Sequence, residues 1–447
     1  MQMLGHLVRP VAGITYHGLN QDVVEKAKLC ILHSISCSYA GRYERWSRAA
    51  REMEINQGGR GDSSLWFTED RSDAAGAAFC NAAAAQSILY EDIHRESNSH
   101  PGIIVIPAAL AVAEEIHATG KQLIEAVVAG YEMMGRVGKG SVCPEFGERA
   151  FRPTSVIGIF GSAMAAGHLM AQSLKEMQTA FSMSASFASG INEWANAGTD
   201  DLYFQNAMAA RNGIMAARLA GMGMTAPDTI VEGRAGLCTA FGFSMERFRQ
   251  LGEEPDYIIK EVLFKPAPAC ALVQTTAQVG LDIWKSGIHA DDIEEGIIYT
   301  FELGKNYSGC DYPGPFTKLL QARMSNQFNL AASVVKGKIA DCNYRSYEDM
   351  EIGGLASRLK VAVDPGYTQA FPDKQSVRVE LRLKDGDVGE FYKEEPVYLS
   401  KEDVIERFHE FCDETLGQAH VSEISDRILN LEDMADVQEI NCLFQQD

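Results

Sequence analysis

From residue 20 to about residue 225 the apolar positions recur with helical period. In "DVVEKAKLCILHSISCSYAG", Val23, Val24, Ala27, Ile31, Ile35 and Ser36 fall on one face, and Gly41 is the expected stop. "GKQLIEAVVAGYEMMGRVG" repeats the spacing after Gly120. "PTSVIGIFGSAMAAGHLMA" and "NAMAARNGIMAARLAGMG" are instead rich in Gly, Ala and Ser. Small residues let helices approach closely, which predicts these two runs at the centre of a bundle.

The pattern changes near residue 265. "EEGIIYTFELGK" and "QSVRVELRLKDGDVGEFY" alternate apolar and polar positions. In the second, Val377, Val379, Leu381 and Leu383 face one way, while Arg378, Glu380, Arg382 and Lys384 face the other. Asp385-Gly386 supplies a hairpin turn. The expectation is a half-buried antiparallel sheet, with "TKLLQARMSNQFNLAASVVKGKI" as a helix between strands. After residue 400 the chain reads as helical again, with apolar spacing suited to docking on the first domain. A chain of 447 residues is long enough for two domains. The pattern therefore predicts a mainly α protein, with a large all-helical domain over 1–264, to which 400–447 returns, and a smaller α+β domain over 265–399.

Composition narrows the classes. Hydrophobic residues make up 46% and charged ones 23%, an ordinary globular balance. Sixty-one acidic against forty basic side chains give a net charge of -21, which argues against nucleic acid as a partner, since phosphate contacts need a basic face. The longest apolar run, "IIVIPAALAVA", is broken by Pro107 and soon meets Glu114, so no membrane span is expected. The N-terminus shows no signal-peptide pattern, and the ten scattered cysteines form no CxxC pair. Both point to a cytoplasmic protein with reduced thiols.

Candidate chemistry concentrates in "EDIHRESNSHPG". Asp92, His94 and His100 are a conceivable ligand set, but their spacing matches no helix-borne metal motif, and the expectation is no metal. Gly158, Gly161 and Gly167 mimic a dinucleotide fingerprint, yet no strand precedes them, so close packing explains them better. "GKGS" at 138–141 reads as a helix end. Cys270 and Cys310 are candidate thiols, more simply read as buried and inert. Acid–base chemistry fits best. His100-Pro101-Gly102 resembles a helix start, where free N–H groups favour a carboxylate, although His100 acting only as a helix cap remains an alternative. Lys265, in the Pro-stiffened "LFKPAPAC" at the expected domain junction, suits a role in holding a carboxylate.

Several blocks together resemble the MmgE/PrpD family, which includes dehydratases, decarboxylases and an epimerase of small carboxylic acids. They are "AKLCILHSISCSYAG", "NAAAAQSILYEDIHRESNSHPGIIVIPAALAVAE", "AVVAGYEMMGRVG", "FRPTSVIGIFGSAMAAGHL", "AMAARNGIMAARLAGMG", "TIVEGRAGLCTAFG" and "FKPAPACALVQTTAQVGLDI", in the family's order. The resemblance implies a helical domain with a smaller lid domain, a homodimer, and catalysis without metal or organic cofactor. It carries Asp92, His94, His100 and Lys265 over as catalytic candidates. Arg152, Thr154, Gln205 and Gln274 are the substrate-binding candidates beside them, without being carried over from the family pattern.

Departures from the family pattern accompany these matches. His33 stands where an Asp is usual, Arg152 replaces the histidine of a Phe-His-Pro segment, and Leu202 lies at about the place of a lysine. Ala271 and Gln274 replace an Arg and a His, and Phe328 replaces a tyrosine. The expected activity is that of a cofactor-independent lyase of the dehydratase or decarboxylase type, abstracting a proton next to a carboxylate. The alternatives are an isomerase or epimerase, favoured by the thinned protic set, and a homologue that has lost activity.

Overall fold

The computed structural model describes residues 3–141, 146–147, 149–251 and 256–444. In chain order the elements that frame the site are α1 (Gln21–Gly41), α2 (Ala74–Gln86), α3 (Gly102–Glu115), α4 (Gly120–Ser141), α5 (Pro153–Leu169), α6 (Leu174–Phe187) and α7 (Asp201–Gly221). There follow α8 (Gln274–Lys285), β1 (Ile293–Thr300), α9 (Asn326–Lys336), β2 (Leu359–Val363), β3 (Val377–Leu383), β4 (Val388–Lys393), α10 (Lys401–Leu416) and α11 (Gln418–Leu429). The fold is mainly α. The chain divides into two compact units: Met1–Ile191, Asp201–Leu263 and Ser400–Asp447 form one, and Asn192–Asp200 with Phe264–Leu399 form the other. Among the described residues no helix is long and apolar enough to cross a membrane.

The first unit is helical, and its centre is built from the small-residue runs. A Cβ at Gly130 of α4 would lie 2.4 Å from Val105 of α3, and one at Gly161 of α5 would lie 2.9 Å from the Gly130 carbonyl. Gly158 faces Ile104 in the same way. These glycines are therefore close-approach points between backbones, and a larger side chain would force the helices apart. At the α5–α7 contact, Ser162 Oγ donates to the Ala209 carbonyl at 2.8 Å, which satisfies a hydroxyl buried between helices. Helix starts are marked by side-chain caps: Asp73 accepts from the Gly76 N–H before α2, and Ser173 and Glu176 form a reciprocal capping box before α6. The C-terminal segment packs on this unit. Lys28 Nζ meets Glu432 at 3.0 Å, and the Gly120 and Val437 N–H groups donate to the Met434 and Ala118 carbonyls.

The second unit carries a four-stranded sheet in the order β2-β1-β3-β4. β3 pairs antiparallel with β1, placing Val379 opposite Ile298, and with β4, placing Val379 opposite Phe391. Val377, Val379 and Leu381 are buried at alternate positions, as the sequence pattern predicts, whereas Leu383 is only partly covered. Asp385-Gly386 turns the hairpin, with Gly386 at φ +96°. The all-antiparallel expectation needs one correction. β2 runs parallel to β1, pairing Ile298 with Val361, so the sheet is mixed. A parallel partner requires a crossover, and α9 lies within that connection.

Candidate active site

The stretch 92–99 forms a tight hairpin. His94 and Ser99 exchange backbone hydrogen bonds, N to O, at 2.8 and 3.2 Å. The buried His94 ring is engaged at both nitrogens. Nε2 meets Glu261 Oε2 at 2.8 Å, and Nδ1 meets Ser97 Oγ at 2.7 Å, which in turn contacts Ser99 Oγ at 2.6 Å. A carboxylate accepts, so Nε2 carries the proton. The His94 hydrogen bond is also the main reason the Glu261 carboxyl is held below its ordinary range. His94 thus ties the hairpin to the short helix Ile258–Glu261.

His94, Glu96 and Glu261 place potential ligand atoms within 4.8 Å of one another. Lys139 Nζ stands 3.2 Å from Glu96 Oε2 and 3.2 Å from Glu261 Oε1. The ammonium supplies the positive charge that a cation would bring, so the group is a partly exposed ion-pair cluster bracing the hairpin.

Asp92 is fully buried before α3. Its Oδ1 accepts from the Gly102 N–H at 2.9 Å, and its Oδ2 accepts from the Tyr131 hydroxyl at 2.7 Å. The cap of α3 is therefore Asp92, eight residues before His100, and the sequence alternative of His100 as cap gives way to this geometry. Burial pushes the Asp92 carboxyl from 3.8 up to about 6, against the opposing pull of the Tyr131 and Gly102 hydrogen bonds. Tyr131 in α4 is itself raised well above its ordinary value by burial, so its hydroxyl keeps its proton and remains a donor. Gly102 has no spare room: a Cβ there would lie 2.9 Å from both Asp92 oxygens and from the Tyr131 hydroxyl.

His100 is set differently. Its Nδ1 lies 2.7 Å from the Asp92 backbone carbonyl, which can only accept, so Nδ1 carries the proton. In the neutral ring this makes Nε2 the basic nitrogen. Glu91 Oε1 lies 3.7 Å from Nε2. The Glu91 side chain is 3% exposed and that of His100 is 16% exposed, so the imidazole reaches the surface of the site while the acid behind it is dry. Sequence reasoning passed over Glu91, although it adjoins Asp92. It also passed over Tyr131, whose role depends on a contact spanning 39 positions.

In the same unit, Arg152 is buried at the start of α5, where its Nη1 donates to the Leu202 carbonyl at 2.8 Å and its backbone N–H to the Gly190 carbonyl. Thr154 is buried in the first turn of α5. Gln205 in α7 donates through Nε2 to the Ile191 carbonyl at 3.0 Å and to Asp201 Oδ2 at 3.1 Å.

In the second unit, Lys265 is fully buried, and its Nζ donates to the Ala269 carbonyl at 3.0 Å. Gln274 heads α8 and folds the same loop around its amide. Its Oε1 accepts from the Ala267 N–H at 3.0 Å, and its Nε2 lies 3.1 Å from the carbonyls of Ala267, Ala269 and Cys270. Gln274 thus shapes the loop that presents Lys265. Gln274→Ala leaves a buried N–H without its acceptor, and a loss of about 2 kcal/mol in urea unfolding is expected. An unchanged urea midpoint would show that this amide does not hold the loop.

Residues 5–247 match the family model for the MmgE/PrpD N-terminal domain, and residues 267–433 match that for the MmgE/PrpD C-terminal domain. Curated relatives include the cis-aconitate decarboxylase of Aspergillus terreus strain NIH 2624, 22% identical over 93% of this chain and 90% of that protein. The cis-aconitate decarboxylase of Mus musculus is 24% identical, covering 95% of this chain and 90% of its own. That of Homo sapiens is 23% identical, with 97% and 93% covered.

Proposed function

The chain belongs to the MmgE/PrpD family, and from that premise we propose that it is a cofactor-independent lyase acting on a small carboxylic acid. His100 Nε2 takes a proton from the carbon next to a carboxylate. The observation that carries this reading is the Nδ1–H of His100 donating to the Asp92 carbonyl, which directs basicity to Nε2 beside Glu91. As the imidazolium forms, the Glu91 carboxylate stabilises it. Asp92 positions the ring indirectly, by capping α3 and fixing the backbone that His100 binds. Arg152, in the same unit as His100, is the proposed holder of a substrate carboxylate.

From the cis-aconitate decarboxylases the proposal takes a class of reaction and not the substrate. Gln274 is committed to its own loop, and Phe328 offers only a buried ring against Phe316 and Tyr344. Fewer cationic and protic groups favour an acid with fewer carboxylates than cis-aconitate. The same scarcity of proton donors supports the second reading, an isomerase or epimerase that needs no acid for a leaving group.

One experiment separates them. Mono-, di- and tricarboxylic acids are incubated with the protein in D₂O and followed by NMR and mass spectrometry. The lyase reading expects a product lighter by water or CO₂. Deuterium gain at constant composition would replace it with the isomerase reading. No turnover of any acid, with no ligand-induced thermal shift, would favour a homologue without activity. The proposed state is a cytoplasmic homodimer, and light scattering at the monomer mass would remove the dimer.

A further inference from the structure

The proposed reaction leaves two features of the sequence unused, His94 and the "GKGS" run at 138–141, and the first unit brings them together. The tip of the 92–99 hairpin packs on the last turn of α4. A Cβ at Gly138 would lie 2.2 Å from Ser97 Cβ, so only glycine lets the tip come this close. The next residue, Lys139, holds Glu96 of the hairpin and Glu261 of the short helix, each at 3.2 Å. His94 closes the arrangement from within. Its ring is 1% exposed and spans from Glu261 Oε2 at 2.8 Å to Ser97 Oγ at 2.7 Å, with Ser99 Oγ 2.6 Å further on. The consequence falls on His100. The Asp92 carbonyl that receives the His100 Nδ1–H comes two residues before His94, and the His100 ring follows directly after Ser99. The paired backbone bonds between His94 and Ser99 join these two arms. Fixing His94 against Ser97 and Ser99 therefore fixes the separation of that carbonyl and that ring. A neutral imidazole whose Nδ1 loses a fixed acceptor can carry its proton on Nε2 instead, and it then presents no base there.

We propose that His94 is a positioning residue for His100. Anchored by Glu261, it holds the hairpin so that His100 Nδ1 stays protonated against the Asp92 carbonyl and Nε2 stays the basic nitrogen. This rests on the reading of His100 as the base of the reaction. His94 acts through the backbone, since both its nitrogens are engaged by the clamp. Glu261 serves as the fixed end of that clamp, and Lys139 and Gly138 keep the hairpin seated on α4.

The test reads the His100 tautomer directly. The full chain is labelled with ring-¹⁵N histidine and followed by NMR at about pH 8, where an ordinary imidazole is neutral. His100→Asn identifies the signals. Wild type is expected to show a protonated Nδ1 and a bare Nε2 at His100. Glu261→Gln, whose amide oxygen still accepts from His94 Nε2, is expected to keep that pattern. Glu261→Ala and His94→Ala are expected to shift His100 towards a mixture with the Nε2-protonated form. On an acid found to turn over, the same two variants should lower kcat about 10- to 100-fold with little change in KM, the effect of a misplaced catalytic group. A clamp serving stability alone would lower the urea midpoint of both variants and leave the His100 tautomer as in wild type. That result would overturn the proposal, and so would an Nε2-protonated His100 in the wild type. The Glu261 side chain is 45% exposed, so Glu261→Ala decides the matter even where His94→Ala fails to fold. Absence of turnover by any acid would remove the lyase reading and leave the tautomer result standing.

Discussion

His100→Asn is expected to lower kcat by about 10²- to 10⁴-fold, the range for loss of a positioned general base, while the protein keeps its fold. Asparagine is chosen because its amide can occupy the place of Nδ1 and retain donation to the Asp92 carbonyl, a 2.7 Å bond in the native site. What it removes is Nε2. A drop in kcat with an unchanged thermal midpoint therefore assigns the loss to the basic nitrogen rather than to the hairpin. Glu91→Gln provides the companion test. Its side chain lies 3.7 Å from Nε2, so the neutral amide should lower kcat through loss of support for the imidazolium formed in the reaction, by less than His100→Asn does. Full turnover by His100→Asn on the acid identified in D₂O would remove His100 from the reaction.

The helical domain was legible because its signals are local. Glycine and alanine recurring along 153–169 and 206–223 announce close helix contacts, and Gly158, Gly161 and Gly213 provide them. The β3–β4 hairpin was legible for the same reason, from alternation on either side of Asp385-Gly386. β2 was not. It is five residues long, and its partner β1 lies more than sixty positions away, so nothing in "LKVAV" announces parallel pairing. The candidate site divides along the same line. "EDIHRESNSHPG" shows which residue types gather before α3, yet the division of labour among them depends on distant partners. Glu261 engages His94, and Tyr131 engages Asp92. Only with those partners in place does Asp92 become the cap and His100 the ring whose Nδ1 is tied to the Asp92 carbonyl.

Substitutions of Asp92 are expected to split by pH. Asp92→Ala strips the acceptor from the Gly102 N–H and from the Tyr131 hydroxyl, both buried, and should cost about 2–4 kcal/mol below pH 4, where the carboxyl is protonated. Asp92→Asn keeps an acceptor for Gly102, and its NH₂ can donate to the Tyr131 oxygen once that hydroxyl rotates. The amide also carries no buried charge. The native carboxyl titrates near 6 when folded, against 3.8 ordinarily, so between these values the folded chain holds a proton that the unfolded chain has released. The Asp92 contribution to stability consequently falls as pH rises through this window and is constant above it, by on the order of 2–3 kcal/mol. Measured by urea unfolding, Asp92→Asn should gain on the wild type between pH 4.5 and 7.5 by an amount approaching that figure. Contributions from other titrating groups cancel in the difference. A gap between the two proteins that does not change with pH would mean that the Asp92 carboxylate is not strained by burial, and that the cap it forms on α3 carries no electrostatic cost.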